Sequence, residues 1–367
     1  MKKTILLLSL FLLGASDPEF AHMRRLFLSE EAVLQKQAAQ FYEQQAKEGV
    51  AEGEYWYGRC LTDGIGVTAD PVTGVSMYRR AAGKGHADAM ARLAMAYKEG
   101  EYLAKDERRY IELMRQAAEA GSLLARMSLA HNLMTGEYLP RDPKEALTWW
   151  RKAASTGFPL ARLELALLLA SGEGGEQDVD FALAELKDLT HSDFKEAVDR
   201  ARRMVWLIYY LGLYGIPKDR GQAIEWFLPL AEDGDFRAME LVGHSLLTGL
   251  HHGLPLSTHA KAAYWLSRPG EKMSNEARLA MGFLSLFDSS GSHYPNLEGA
   301  LKWFDTVPDQ EEVGQILLEQ ARYFREVHTG VKSSVIRSMY RLSAEKGHPQ
   351  AALLLGDMAL LGWTMPV

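Results

Sequence analysis

One cysteine, Cys60, stands in 367 residues, so no internal disulfide can form and zinc modules built on several cysteines are excluded. Proline is sparse, at 13 against 32 glycines, a balance that suits many short helices with glycine stops. A basic excess is absent. The 41 Lys and Arg face 48 Asp and Glu for a net charge of −7, which argues against a general nucleic-acid binder with its basic face. No apolar run beyond Leu13 is long enough to cross a bilayer. What is present is 47% hydrophobic and 24% charged, the composition of a folded chain and not of a disordered one. The length exceeds what one core supports, which leaves two or three domains or one elongated array.

The N-terminus has the order of a secretory signal. Lys2-Lys3 precedes an apolar stretch from Ile5 to Leu13, and the small residues Gly14-Ala15-Ser16 precede Asp17-Pro18. Residues 1–16 are therefore expected to be a signal peptide, whose removal takes Lys2 and Lys3 away and the charge from −7 to −9. Leu13-Gly14-Ala15-Ser16 differs from a bacterial lipoprotein box only in having Ser16 in place of cysteine, so lipid cannot be attached there. Residues 17–29 read as a flexible leader or a cloning-derived segment, and residues 30–367 as the folded body. The expected location is the periplasm.

A period of 36 residues organises that body. Gly49, Gly85, Gly121 and Gly157 keep it, as do Gly64, Gly100, Gly136 and Gly172, and Asp70, Asp106, Asp142 and Asp178. The pairs Ala81-Ala82, Ala117-Ala118 and Ala153-Ala154 keep the same step. In the unit from Ser122 to Gly157, Ala125, Leu129, Ala130 and Leu133 make one apolar stripe on a first helix, which Gly136 ends. Asp142-Pro143 opens a second helix with an N-cap followed by proline at the first helical position. Ala146, Trp149, Trp150, Ala153 and Ala154 form its buried face, and by register Trp226, Trp265 and Trp303 are core as well. One such pair cannot bury its own stripe, so neighbours must stack.

The series Ala89…Leu93-Ala94…Tyr97…Gly100…Asp106…Ala117-Ala118…Gly121 resembles the Sel1-like repeat, a relative of the tetratricopeptide repeat. It returns at Pro217-Lys218-Asp219…Trp226-Phe227…Gly234 and runs to Tyr340…Gly347…Gly356. The resemblance implies an all-α, right-handed α-solenoid of about eight or nine helix-turn-helix units. Two stretches are longer than whole repeats: Gly157 to Gly234 spans 77 residues and Gly234 to Gly347 spans 113. The extra residues are expected in loops near Gly172–Gln177 and His251–Leu256.

No constellation carries chemistry. Gly172-Glu173-Gly174-Gly175 follows a helix and holds glutamates, unlike a phosphate loop. His244, His251, His252 and His259 lack the i, i+4 pair of a helical zinc site. Cys60 takes the place of Ala96 in the next unit and reads as a small buried hydrophobe. The chain is expected to be no enzyme and to hold neither cofactor nor metal.

Partner binding falls to a ladder on the first helices, two positions that lie off the apolar stripe: Glu54/Trp56, Met90/Arg92, Arg126/Ser128, Arg162/Glu164, Met239/Leu241 and Arg278/Ala280, with Tyr55 and Arg59 beside the first. Aromatic residues, Met and Arg are enriched at interfaces. Tyr55, Trp56, Arg59, Arg92, Arg126, Arg162, Glu164 and Arg278 are the expected contact residues. Among exported families with these repeats, the resemblance implies an immunity protein that binds and neutralises a lipase or phospholipase effector of type VI secretion. A scaffold of an exopolysaccharide secretion complex is the alternative. The acidic charge favours the first, since such an effector holds a cationic pocket for phosphate.

Overall fold

The computed structural model describes residues 18–247, 256–286, 296–326 and 333–360, and among them every regular element is helical. The expected signal peptide and the segment 251–255 lie outside these residues. Two compact units divide the chain, Met1–Ala201 and Arg202–Val367.

In the first unit the helices are α1 (Pro18–Phe27), α2 (Ala32–Lys47), α3 (Ala51–Asp63), α4 (Pro71–Gly83), α5 (Ala87–Glu99), α6 (Glu107–Glu119), α7 (Leu123–Thr135), α8 (Pro143–Ala154), α9 (Pro159–Ser171) and α10 (Val179–Leu189). The division falls inside α11 (Lys195–Leu211). The second unit continues with α12 (Arg220–Glu232), α13 (Phe236–Leu247), α14 (Leu256–Ser267), α15 (Asn275–Leu286), α16 (Leu297–Phe304), α17 (Gln310–Glu326), α18 (Ser333–Glu345) and α19 (Pro349–Leu360). Odd-numbered helices are the first of each repeat and even-numbered ones the second. Contacts run chiefly between chain neighbours, with α3 on α4, α5 on α6 and α7 on α8 the heaviest in the first unit. First helices of successive repeats also touch, α5 on α7 and α13 on α15, so they share one face of their unit.

The periodic aspartates explain why each repeat closes the same way. The side chains of Asp70, Asp106, Asp142, Asp178 and Asp219 accept from the backbone N–H three residues on, at 2.9–3.1 Å. Each cap also donates its own N–H to the last turn of the preceding helix, as Asp142 does to the Leu133 carbonyl at 2.8 Å. One residue thus starts the second helix and ties it to the first. The turn between them needs a left-handed residue, and Gly136 supplies it at φ 78°. Asp142→Ala is expected to cost about 0.5–2 kcal/mol, because the orphan N–H groups of the first turn lose their acceptor. Thermal denaturation followed by circular dichroism checks this; an unchanged midpoint would show that the cap contributes nothing.

The core follows the stripe predicted for the third repeat, with Ala125, Leu129, Ala130 and Leu133 all buried. On the second helices Trp149 is buried but Trp226, Trp265 and Trp303 are half-buried. The most deeply buried register is the next residue along: Trp150, Phe227, Leu266 and Phe304. Phe304 belongs to a cluster with Leu317, Met339 and Tyr340 in the second unit.

Two further expectations are corrected. The extra length after Gly157 does not sit at Gly172–Gln177, which remains a turn in register with its neighbours. It sits in α11, which has 17 residues against 13 in α9, one additional helical turn. A 3-10 turn at Leu213–Gly215 follows it. In the second unit the 17-residue α17 and the turn Gly270–Lys272 hold surplus residues. Residues 18–27, read as part of a leader, form α1 instead, and its Phe20, Arg24 and Phe27 are buried on one face.

Candidate partner-docking site

The expected ladder does not form one surface. Tyr55, Trp56 and Arg59 are at most 4% exposed. For Trp56 and Arg59 the cause is α1 and α2: Phe27 meets the Trp56 ring edge-on at 5.2 Å, and Tyr42 stacks on Trp56 at 5.7 Å. The Arg59 guanidinium lies 5.0 Å over Phe27 and 5.1 Å over Trp56, with Asp63 at 3.6 Å. Trp56 donates its Nε1–H to Glu52 at 2.8 Å, and Tyr55 stacks on His86 at 4.6 Å. These side chains hold the N-terminal repeats together and offer nothing to a partner. Glu54, also fully buried, accepts from Lys84 at 2.7 Å and pairs with Arg80 at 2.6 Å. Burial pushes the Cys60 thiol up to about 12, so the sulfur stays protonated and is no nucleophile.

The ladder arginines are committed to second helices. Arg126 donates to the Ala118 carbonyl at 3.1 Å and to the Lys152 carbonyl at 3.2 Å, near the C-termini of α6 and α8. Arg162 holds Glu185 at 2.8 Å and Asp188 at 2.6 Å on α10. Arg278 donates to the Thr306 carbonyl at 2.7 Å, and Arg92 lies half-buried against Tyr55 and Tyr78. A guanidinium near a helix C-terminus satisfies carbonyls that have no partner within the helix. The physical role is to clamp a first helix to a second, which leaves these residues little freedom to recognise another molecule.

Of the ladder, Ser128 and Glu164 line an open groove. This groove, of about 300 Å³, runs along the first-helix face of the first unit. Its floor is apolar: Met95 from α5, Leu124 and Met127 from α7, Leu160 from α9, with Trp150 from α8 behind them. Lys98 and His131 stand at one end, and Glu164 pairs with Arg200 of α11 at 2.5 Å at the other. Lys98 Nζ lies 5.6 Å from the Tyr110 ring centroid and 4.7 Å from that of Tyr138. The Tyr110 hydroxyl accepts from Asn132 at 2.7 Å, while burial raises the Tyr110 phenol above its ordinary value. The lining repeats with the chain, as Ser128, Glu164 and Arg200 are spaced by 36 residues, and so are Met95 and His131, and Leu124 and Leu160. Ser128 and Glu164 belong to the expected ladder, whereas Met95 and His131 lie three residues beyond it and Leu124 and Leu160 two residues before it. Arg200 was hidden because the extra turn of α11 lies after it and not before.

No other chemistry gathers. Among the described residues no group of three or more His, Cys, Asp or Glu side chains could hold a metal ion. Burial lowers the His244 imidazole below its ordinary value; His251 and His252 lie outside the described residues, as does the side chain of His259. The turn at Gly172–Gln177 is held by ion pairs of Glu173 with Arg141 and of Glu176 with Arg151, which leaves no place for a phosphate. No described helix is long and apolar enough to cross a membrane.

Comparison with known proteins agrees with this architecture. The family model of the Sel1 repeat matches residues 51–86, 87–122, 124–158 and 207–235. The structure resembles a protective antigen of uropathogenic Escherichia coli strains displaying an SLR fold, with a TM-score of 0.62 at 22% identity over 94% of this chain and 76% of that one. A Sel1 repeat protein from Oxalobacter formigenes matches with a TM-score of 0.52 at 22% identity, over 71% of this chain and 99% of its own. At that identity both show the fold alone. An ERAD-associated E3 ubiquitin-protein ligase component, HRD3A of Arabidopsis thaliana, is 33% identical over 75 residues. Those residues are 20% of this chain and about a tenth of that protein's length.

Proposed function

We propose that this chain, four stretches of which match the Sel1 repeat, is a protein-interaction solenoid that acts without catalysis by receiving a partner protein in the groove of its first unit. The observation that carries this is the groove itself: an open apolar floor shared by consecutive first helices, with Lys98 toward one end and the Glu164–Arg200 pair at the other. Repeat folds supply extended binding surfaces of this kind, whereas small-molecule sites enclose most of their ligand. The relative from Arabidopsis thaliana is, by its name, a component of a larger assembly, in keeping with such a role.

The finer reading is an exported immunity protein that neutralises a periplasm-acting phospholipase effector. It is supported by the order of residues 1–16 and by a charge of −7 that complements a cationic, phosphate-binding active site. The test co-expresses such an effector with the full chain, or with a chain lacking residues 1–16, and scores survival. Protection by the full chain alone is the expected result. Equal killing with both ends the immunity reading, and association with an exopolysaccharide secretion complex would put the scaffold role in its place. The coarser proposal has its own check: Met127→Asp should abolish capture of the partner while the helical circular dichroism signal stays intact.

A further inference from the structure

The groove is locally of the opposite sign to the chain that carries it. At one end Glu164 and Arg200 neutralise each other at 2.5 Å. At the other Lys98 is held over two tyrosine rings, and no carboxylate among the described residues lies within ion-pair distance of its Nζ. The lysine is thereby kept in place by ring faces, which attract a cation without discharging it. Its neighbour His131 is exposed at the same rim. The groove thus has one uncompensated fixed charge, positive, in a protein whose net charge is −7.

Between the two ends the floor changes character only slightly from helix to helix. Met95, then Leu124 and Met127, then Leu160 present flexible aliphatic or thioether side chains, which adapt to the shape of what lies on them. Packed helices are roughly 8–10 Å apart, so α5, α7 and α9 together span about 20 Å. A helix laid across them would need about 13 residues at 1.5 Å each. An apolar stripe at i, i+4, i+7 and i+11, about 16 Å from first to last, would then run along the three rows of the floor, as amphipathic helices do in hydrophobic grooves.

We infer that the groove takes an amphipathic helix of the partner protein whose apolar face ends in an aspartate or glutamate, that carboxylate meeting Lys98 Nζ over the Tyr110 and Tyr138 rings. The inference rests on the groove being the protein-docking surface, and it adds the polarity and the recognition charge of the docked segment. The carboxylate gains a charge-assisted contact in a site that aromatic rings partly shield from water. The matched Glu164–Arg200 pair at the far end offers no net charge, which sets the direction in which the helix lies.

Two synthetic peptides of about 14 residues, just over the helical length that crosses three rows, supply the probe. Both carry leucines at i, i+4, i+7 and i+11, and at one terminus one carries glutamate where the other carries glutamine. Fluorescence anisotropy with the full chain should show the glutamate peptide binding about five- to tenfold more tightly, a preference that Lys98→Met removes and Lys98→Arg retains. Equal binding of the two peptides, or a preference that survives Lys98→Met, would overturn the inference. If Met127→Asp abolishes both peptides while Lys98→Met alters neither, the groove stands as a docking surface and only the carboxylate contact falls. If Met127→Asp leaves both peptides bound, the groove reading itself fails. Dodecanoate is titrated in parallel; its displacing the glutamate peptide at lower concentration than unlabelled peptide would assign the site to a fatty acyl ligand and overturn the proposal.

Discussion

Trp150→Ala is expected to lower the stability of the first unit by about 3–5 kcal/mol, the largest effect of any single truncation considered. Trp150 is 6% exposed on α8, at a register that is buried throughout the first unit. Tyr78, Met114 and Leu186 hold the same register in the repeats on either side. Removing the indole leaves a void that neighbouring backbones cannot close, because Asp142 and its cap fix the start of α8. In a stack each repeat borrows its core from its neighbours, so the loss spreads beyond α7 and α8. A fall of roughly 10 °C in melting temperature is the expected readout for a unit of this size. A midpoint within a degree of the parent would show that the site collapses freely, and that the indole serves only the groove.

The second large effect concerns two glycines that let α3 and α4 approach. A Cβ on Gly58 would lie 2.8 Å from the Tyr78 ring and 3.0 Å from the Gly74 carbonyl oxygen. A Cβ on Gly74 would in turn lie 2.9 Å from the Gly58 carbonyl oxygen and 2.6 Å from Thr62 Cγ2. The two positions face each other, and backbone on both sides blocks escape. Helix propensity alone would reward Gly58→Ala by up to about 1 kcal/mol. Overpacking against backbone opposes that gain, and Gly58→Val should destabilise by about 3 kcal/mol. Gly83 is the internal control: it ends the same helix, α4, and an added Cβ there meets nothing within 4 Å. Gly83→Ala should therefore be neutral or mildly stabilising. If chemical denaturation ranks the two glycine variants in the opposite order, the close approach of α3 and α4 is not what Gly58 is for.

The fold was legible because the features that define it are local. A capping aspartate and a left-handed glycine act within a few residues, so both leave a mark at every 36th position. The docking surface was less legible for a geometric reason. Only two residues, about 200° around the helix, separate Arg162, which clamps the second helix, from Glu164, which lines the groove, and charge alone does not distinguish such positions. The burial of Trp56 and Arg59 depends on α1, and no pattern within their own repeat announces that cover. The extra turn in α11 was misplaced because lengthening a helix by a turn adds no glycine or proline, whereas a longer loop usually does. The burial of Cys60, by contrast, needed only its spacing from Ala96.

The contacts between chain neighbours carry a consequence for how quickly the native state is reached. Nearly all of the heavy packing joins a helix to the next one along, so the average loop that must close is short. Rates of folding rise as contacting residues come closer in sequence, and in a stacked array ordering can begin at any repeat and spread to its neighbours. The aspartate that closes each turn favours such a start wherever it occurs. A chain emerging from the ribosome would then gain structure repeat by repeat, before its C-terminal helices exist. For the export proposed above, that speed would be a hazard, since holding the chain open until translocation would be a race against its own nearest-neighbour contacts.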